Sequence, residues 1–451
     1  MSFALFIVYI LSTYLRPFEL LAPQLNNYRP MLILLALALA TSTARVIVRN
    51  ELGARPIHFL LLGLLTLAIG ASQVANGWAG GALVAVGDFA ASALLMVLCL
   101  FNLTSLKRLQ VTCIAIASSV VVLAAMGVNA WHTGYLAEEL VLRQNAVNPD
   151  NVDPLVYEDE PIAIPAQDDS GRYFLRLRSL GFLNDPNDFA QVMVMVLPIL
   201  WWLVVSGAWW RNLLLAAAPA GLLAYAIYLT HSRGAFLGIG ALAALAIHRV
   251  LGTLRTLLLV GLAIAAMGIV SVGGRGLSSE EESAAQRVDA WFAGWTMLKS
   301  HPLFGVGYSN FLEHHYLTAH NSFVLVYAEL GLIGYFFWLG LIVITFLGLN
   351  QAVRLAPPGS GELRMAVTVR AAMTAYIACA WFLSRSFQPG LYVVLALGVA
   401  AWVIVQKRVG PVALQPPAEP IRWAGITAAA MVLSVMSVYV FIALRKVGGF
   451  A

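Results

Sequence analysis

Apolar runs of about the 20 residues that a helix needs to cross a bilayer recur along nearly the whole chain, and they decide what it can fold into. In lipid, no water is at hand to bond the backbone, so a crossing segment must be a helix or a strand of a closed barrel. The dyad alternation of a lipid-facing barrel is missing, which leaves helices. The runs lie near 2–15, 30–48, 57–75, 80–101, 109–131, 187–206, 212–230, 234–248, 256–272, 321–349, 366–385, 390–406 and 423–444. They predict an all-α, polytopic integral membrane protein with about 12–13 transmembrane helices, two long outer loops and amphipathic helices in those loops. Of the 451 residues 60% are hydrophobic and 11% charged, far from the roughly 25% charged of a soluble domain.

The opening MSFALFIVYILSTYL has no basic start and no small-residue cleavage site, so it is expected to remain as the first span. Cys99, Cys113 and Cys379 sit in apolar stretches and are expected to be packing residues, with no disulfide framework. The net charge of +5 comes from basic residues at span ends, a membrane-topology pattern that gives no sign of nucleic-acid binding. Short connections with Arg45, Arg49, Arg55, Lys107, Arg108, Arg249, Arg255, Arg354, Arg364, Lys407 and Arg408 alternate with connections such as 76–79 and 386–389 that carry almost none. The basic set is expected on the cytoplasmic side. The organisation is then 1–131 as N-terminal spans, 132–186 as a first long outer loop and 187–272 as central spans. A second outer loop, 273–320, precedes the C-terminal spans 321–451. Arg445 and Lys446 would also lie outside if all thirteen spans form, against the general bias. In the first loop, Asn148–Asp169 is acidic and punctuated by proline, the composition of a solvated segment.

Polar and basic residues gather at the expected outer face. Arg233 lies in Thr230-His231-Ser232-Arg233-Gly234, a tight break between two apolar runs. An interfacial Arg there can simply snorkel and end a helix. A guanidinium at that level also suits bidentate contact with a phosphate. Arg287 opens an expected amphipathic helix whose Val288, Trp291, Phe292, Trp295 and Leu298 share one face, lying on the bilayer with its aromatic side in the interface. His320-Asn321-Ser322 begins a long span that continues through Gly331-Leu332-Ile333-Gly334. Asn321 or Ser322 can cap that helix, which frees His320 for general-base work. His314 and His315 raise a metal site, but their spacing to His320, with Glu313, matches no standard zinc pattern. Arg172, Arg176 and Arg178 precede Gly181-Phe182-Leu183-Asn184-Asp185-Pro186-Asn187, where Asp185-Pro186 has the form of an N-cap followed by proline at the first helical position. Asp88 and Glu329 lie inside spans, where acids are functional candidates by default. Glu329 falls about two turns below His320.

The ordered set resembles the O-antigen ligase and polymerase superfamily of bacterial envelope glycosyltransferases. It consists of Gly181-x-x-Asn184-x-Pro186-Asn187, Ser232-Arg233-Gly234, Arg287-x-x-x-Trp291, His301-Pro302-Leu303-Phe304-Gly305-Val306-Gly307, and His320-Asn321 with nine residues before Gly331-x-x-Gly334. The match is close over about 170–350 and elsewhere a matter of hydropathy. It implies a multi-pass enzyme of the bacterial inner membrane that works on the periplasmic side, with no cofactor and no metal. The implied donor is an undecaprenyl-diphosphate-linked glycan; in the ligases the acceptor is a sugar of lipid A–core. The implied roles are His320 as catalytic residue and Arg233 and Arg287 as diphosphate contacts. Arg176 and Arg178 are expected to add to that anion site, and Asn321, Asn184, Asn187 and Glu329 to support it. The acidic insert and the extra C-terminal span depart from the family pattern. The lipopolysaccharide ligase is the favoured reading. An O-antigen polymerase or a protein O-glycosylation ligase would use the same donor. A transporter or flippase fits less well, because the ionisable groups cluster at one face and no internal repeat is present.

Overall fold

The computed structural model describes residues 2–49, 56–145, 173–248, 251–252, 255, 278–410 and 420–447. The expected span 256–272 and the acidic stretch Asn148–Asp169 lie outside the described residues. Among the described residues nine helices are long and apolar enough to cross a membrane. They are α2 (Pro30–Arg49), α3 (Pro56–Ala75), α4 (Ala79–Asn102), α5 (Leu106–Thr133), α7 (Trp209–Leu229), α10 (Ser322–Leu355), α11 (Gly361–Ala380), α12 (Pro389–Val409) and α13 (Pro420–Val447). The apolar helices α1 (Ser2–Leu15), α6 (Pro186–Trp202) and α8 (Arg233–His248) are shorter. The protein is thus an all-α polytopic membrane protein. Helix α9 (Ser278–Ser300) belongs to the second long loop. In the first loop the described residues form an antiparallel ribbon of β1 (Val141–Asn145) and β2 (Tyr173–Leu177).

Helix α12 lies deepest, with 94% of its apolar window buried. Helices α4, α10 and α11 pack around it, α3 and α13 flank α10, and α6 packs along α11. Short α1 is integral to the bundle: Phe6, Ile10 and Tyr14 are fully buried where it meets α2 and α5. Gly238 brings α8 so close to α6 and α11 that an added Cβ would lie 2.5 Å from Cys379 Sγ and 3.0 Å from Val194 Cγ1.

The alternation of the spans gives the bundle two chemically different ends. At one end, basic side chains hold the short connections: Arg45 donates to the carbonyl of Phe101, and Arg364 to those of Trp202 and Val204. The starts of α6, α8 and α10 and the ends of α5, α7 and α11 meet at the opposite end with the ribbon, α9 and the 301–321 segment. The candidate residues lie there.

Candidate active site

The ribbon and the start of α6 form one wall. Strand β2 alternates, as a strand with one covered face must: Leu175 and Leu177 are buried, and Arg176 and Arg178 lie on the other face. The two arginines then diverge. Arg178 donates to the main-chain carbonyls of Glu138 and Glu139, which anchors it to the turn before β1. Arg176 turns inward, its Nε 2.8 Å from the carbonyl of Thr230 and an Nη 2.9 Å from Asn187 Oδ1. As expected, Asp185 caps α6 by accepting from the Asn187 N–H at 2.7 Å, with Pro186 in the first turn. Gly181 has a positive φ of 60°, and a Cβ there would run into the Arg16 guanidinium, which explains why no side chain is carried at that point. Asn184 is exposed at the end of the same short turn.

Through Arg176 this wall grips the turn between α7 and α8. His231 takes a left-handed φ of 50° and Arg233 is exposed at the first turn of α8. Desolvation, then the neighbouring Arg176 charge, hold the His231 imidazole below its usual pKa of 6.5.

Helix α9 differs from expectation in two ways. It starts before Arg287, which lies inside it, and its aromatic face turns to protein. Val288, Trp291 and Leu298 are buried while Phe292 is exposed. The cause is Gly294: a Cβ there would sit 2.5 Å from Val324 of α10, so the missing side chain lets the two helices close. Trp291 then packs at a tilt against Phe382 and Phe441, with centroids 6.2 and 5.3 Å away, and its indole N–H donates to the carbonyl of Ala319 at 2.8 Å.

The third component is a helix broken by a threaded loop. The sequence predicts one uninterrupted span from His320-Asn321-Ser322, but α10 leaves helical geometry at Gly331 (φ 61°, ψ −165°). Segment 302–307 fills the break. Val306 and Gly307 donate to the carbonyls of Ala328 and Glu329 at 2.9 and 3.0 Å; Leu332 and Ile333 donate to those of Pro302 and Leu303 at 2.8 and 3.2 Å. The backbone groups freed by the break thus find partners, as burial in a membrane protein demands. Only glycine fits the crossing: a Cβ at Gly305 would run into the Glu329 carbonyl carbon, and one at Gly331 into that of Leu303. Buried Glu329 accepts from the Phe311 N–H at 3.3 Å, and Ser72, Gln73 and Asn76 at the end of α3 bond the main chain of 305–308. Burial, then the neighbouring Glu329 and Asp88, push the Tyr308 phenol up. His314 and His315 turn to the main chain of Asn310 and Leu317. Among the described residues no three His, Cys, Asp or Glu side chains converge as ligands for a metal.

His320 comes last in this loop. It is half-buried with a left-handed φ of 46°, and Asn321 caps α10 by accepting from Phe323 and Val324 at 2.9 and 3.2 Å. The three principal candidates adjoin one cluster. His320 follows Ala319, which is bonded to Trp291; Arg287 lies one turn before Trp291; Trp291 packs against Phe382. Arg233 precedes Gly234, whose added Cβ would lie 3.6 Å from Phe382 Cβ.

Arg385 escapes a reading of the sequence. The apolar run suggests a span over 366–385, yet Ser360 caps α11 by accepting from Leu363 at 3.1 Å, and the helix ends at Ala380. Arg385 therefore lies in the connection to α12. Its Nε sits 2.8 and 2.7 Å from the two oxygens of buried Asp188, and an Nη lies 3.6 Å from Asp185. Burial opposes its charge, but the two carboxylates outweigh burial and hold its pKa above the usual range.

Residues 218–339 match the family model described as O-antigen ligase. That stretch takes in the Arg233 turn, Arg287 in α9, the threaded loop, His320 and the break in α10. No curated protein matches the chain.

Proposed function

We propose that this chain, which carries an O-antigen ligase domain over residues 218–339, is a glycosyltransferase that moves a glycan from undecaprenyl diphosphate to a lipid A–core sugar at the periplasmic face of the inner membrane. The observation that carries the reading is the joining of the Arg233 turn, the Arg287 helix and the His320 loop through Gly234, Phe382, Trp291 and Ala319 at one end of the bundle.

In this reading the acceptor hydroxyl oxygen attacks the anomeric carbon while the bond from that carbon to the diphosphate oxygen breaks. The electron pair leaves with the diphosphate and the hydroxyl proton passes to His320. Arg233 and Arg287 face the charge that grows on the leaving group, and preorganised donors of this kind each supply about 10²–10³ in rate. Arg176 adds charge and holds the turn that bears Arg233, through the Thr230 carbonyl. Direct displacement inverts the anomeric carbon. The residues named are cationic or hydrogen-bonding and include no carboxylate able to act as a nucleophile, so a single displacement suits them. The supporting residues act at one remove: Asn321 ends the helix behind His320, Asn187 holds Arg176, and Glu329 holds the loop before His320. Arg178 is given an anchoring role, because its guanidinium is bonded to the Glu138 and Glu139 carbonyls.

The test is reconstitution of the purified protein with an undecaprenyl-diphosphate-linked glycan and lipid A–core, followed on gels. Glycan on lipid A–core, lost in His320→Ala, is expected. Longer lipid-linked chains with no product on the core would identify a polymerase instead. No transfer to either would reject the assignment.

A further inference from the structure

We propose that Asp188 and Arg385 form the joint that sets His320 against the arginine wall, a positioning role that rests on the transferase reading above. The contacts run without a gap from one side of the site to the other. On the wall, Arg176 bonds the Thr230 carbonyl and Asn187, and Asn187 bonds Asp185. Asp185 and Asp188, at the cap of α6 and on its first turn, both face Arg385. From Arg385 the chain of contacts passes into the start of α10. The Arg385 N–H donates to Ser322 Oγ at 3.1 Å, Ser322 Oγ donates to the Leu383 carbonyl, and Ser386 Oγ donates to the Ser322 carbonyl at 2.8 Å. Ser322 is two residues beyond His320. Trp338 and Tyr392 also bond the Ser386 carbonyl, at 3.0 and 3.2 Å, which fixes the connection to both α10 and α12.

The pair is better suited to holding geometry than to holding substrate. Two carboxylates already face the Arg385 charge, one of them buried, so little of its field is left for a diphosphate. A planar guanidinium that turns its Nε to buried Asp188 and an Nη to Asp185 is also directional, unlike the point charge of a lysine. A joint of this kind governs the distance between the group that takes the proton and the cations behind the leaving group. That distance matters most as the bond breaks, so an error falls on the chemical step rather than on binding.

The experiment uses the full-length protein in lipid with Asp188→Asn/Arg385→Gln, which removes both charges and leaves no lone buried ion, and with Arg385→Lys. Spin labels at Tyr316→Cys and Tyr228→Cys, both exposed, report the separation of the His320 loop and the α7–α8 turn, since Cys99, Cys113 and Cys379 are buried. We expect a broader or shifted distance distribution in the double variant. For Arg385→Lys we expect kcat down about 10-fold or more, with KM for an undecaprenyl-diphosphate-linked glycan within about 3-fold. An unchanged distribution would overturn the proposal, and so would a higher KM at unchanged kcat, which would make Arg385 a donor ligand. If the unmodified protein transfers no glycan, the transferase reading fails, while the distance distributions still decide whether the joint exists.

Discussion

Asn321 satisfies two of the four N–H groups that open α10, those of Phe323 and Val324, and this relieves His320 of any capping duty. Replacing His320 by alanine should therefore leave the cap of α10 in place while transfer falls roughly 10²–10⁴-fold. Asn321→Ala should show the opposite balance, losing about 1 kcal/mol of stability. Circular-dichroism melts beside a transfer assay separate the two, and a folded His320→Ala that transfers at the parent's rate would remove the histidine from the chemistry. His231 gives a pH signature of its own. Its folded pKa lies below 6.5, so as pH falls the unfolded chain takes the proton first. Stability is then full above about pH 6.5 and declines below it. The thermal midpoint should drop between about pH 7 and pH 5 more in the parent than in His231→Ala, and parallel curves would refute the shift. At this scale the sequence is informative where a residue stands alone in its setting. Arg233 between two apolar runs and the Asn321 cap are both visible in it. Arg385 is not, because the apolar letters before it extend the apparent span past the true end of α11.

Among the helices, α10 shows what pattern alone can and cannot convey. Hydropathy is continuous through Gly331 because both halves of the helix are apolar, and the pair Gly331 and Gly334 stands out only as a motif. The break needs its partner, since the carbonyls and N–H groups it frees are taken by 302–307, a segment about 30 residues earlier. Local periodicity cannot see such a crossing. Two glycines of positive φ make the point testable. Gly77→Ala meets no atom within 4 Å, so it should cost only the backbone preference, about 1 kcal/mol. Gly305→Ala carries the same backbone cost and puts its Cβ against the main chain of Glu329, which cannot move without opening the crossing. It should lower stability by more than ~2 kcal/mol and transfer by more than its folded fraction explains. Equal melts for the two variants would mean that the threaded loop does not hold α10. Helix α9 carries the same lesson: its aromatic stripe is legible, but whether it meets lipid or protein is decided by Gly294 lying against Val324.

Across the bundle, the arginines that tie the short connections and the candidate site lie at opposite ends. Arg45, Arg108 and Arg364 bond the carbonyls that end neighbouring spans, and the Arg176, Arg233, Arg287 and His320 positions lie at the other end. The order of the described spans is legible because each apolar run needs its own helix, although only nine of the described helices reach spanning length where the sequence suggests about 12–13 crossings. Their mutual packing is not, since it depends on small residues such as Gly238 that leave no trace in a hydropathy profile. Cytoplasmic loops keep their lysines and arginines, so the basic end should face the cytoplasm and the candidate site should face outward. A substrate on the outer leaflet requires that orientation, and it can be measured without any activity. Tyr316 lies exposed at the site end, and Pro358 is exposed in the connection between α10 and α11 at the other. In intact cells stripped of their outer membrane, a thiol reagent that cannot cross the bilayer should label Tyr316→Cys and spare Pro358→Cys until the membrane is opened. The three native cysteines are buried and contribute little background. The reverse pattern would put Arg233, Arg287 and His320 on the cytoplasmic side, where a nucleotide-activated sugar rather than an exported lipid-linked glycan would be the accessible donor, and outer-face transfer could not stand.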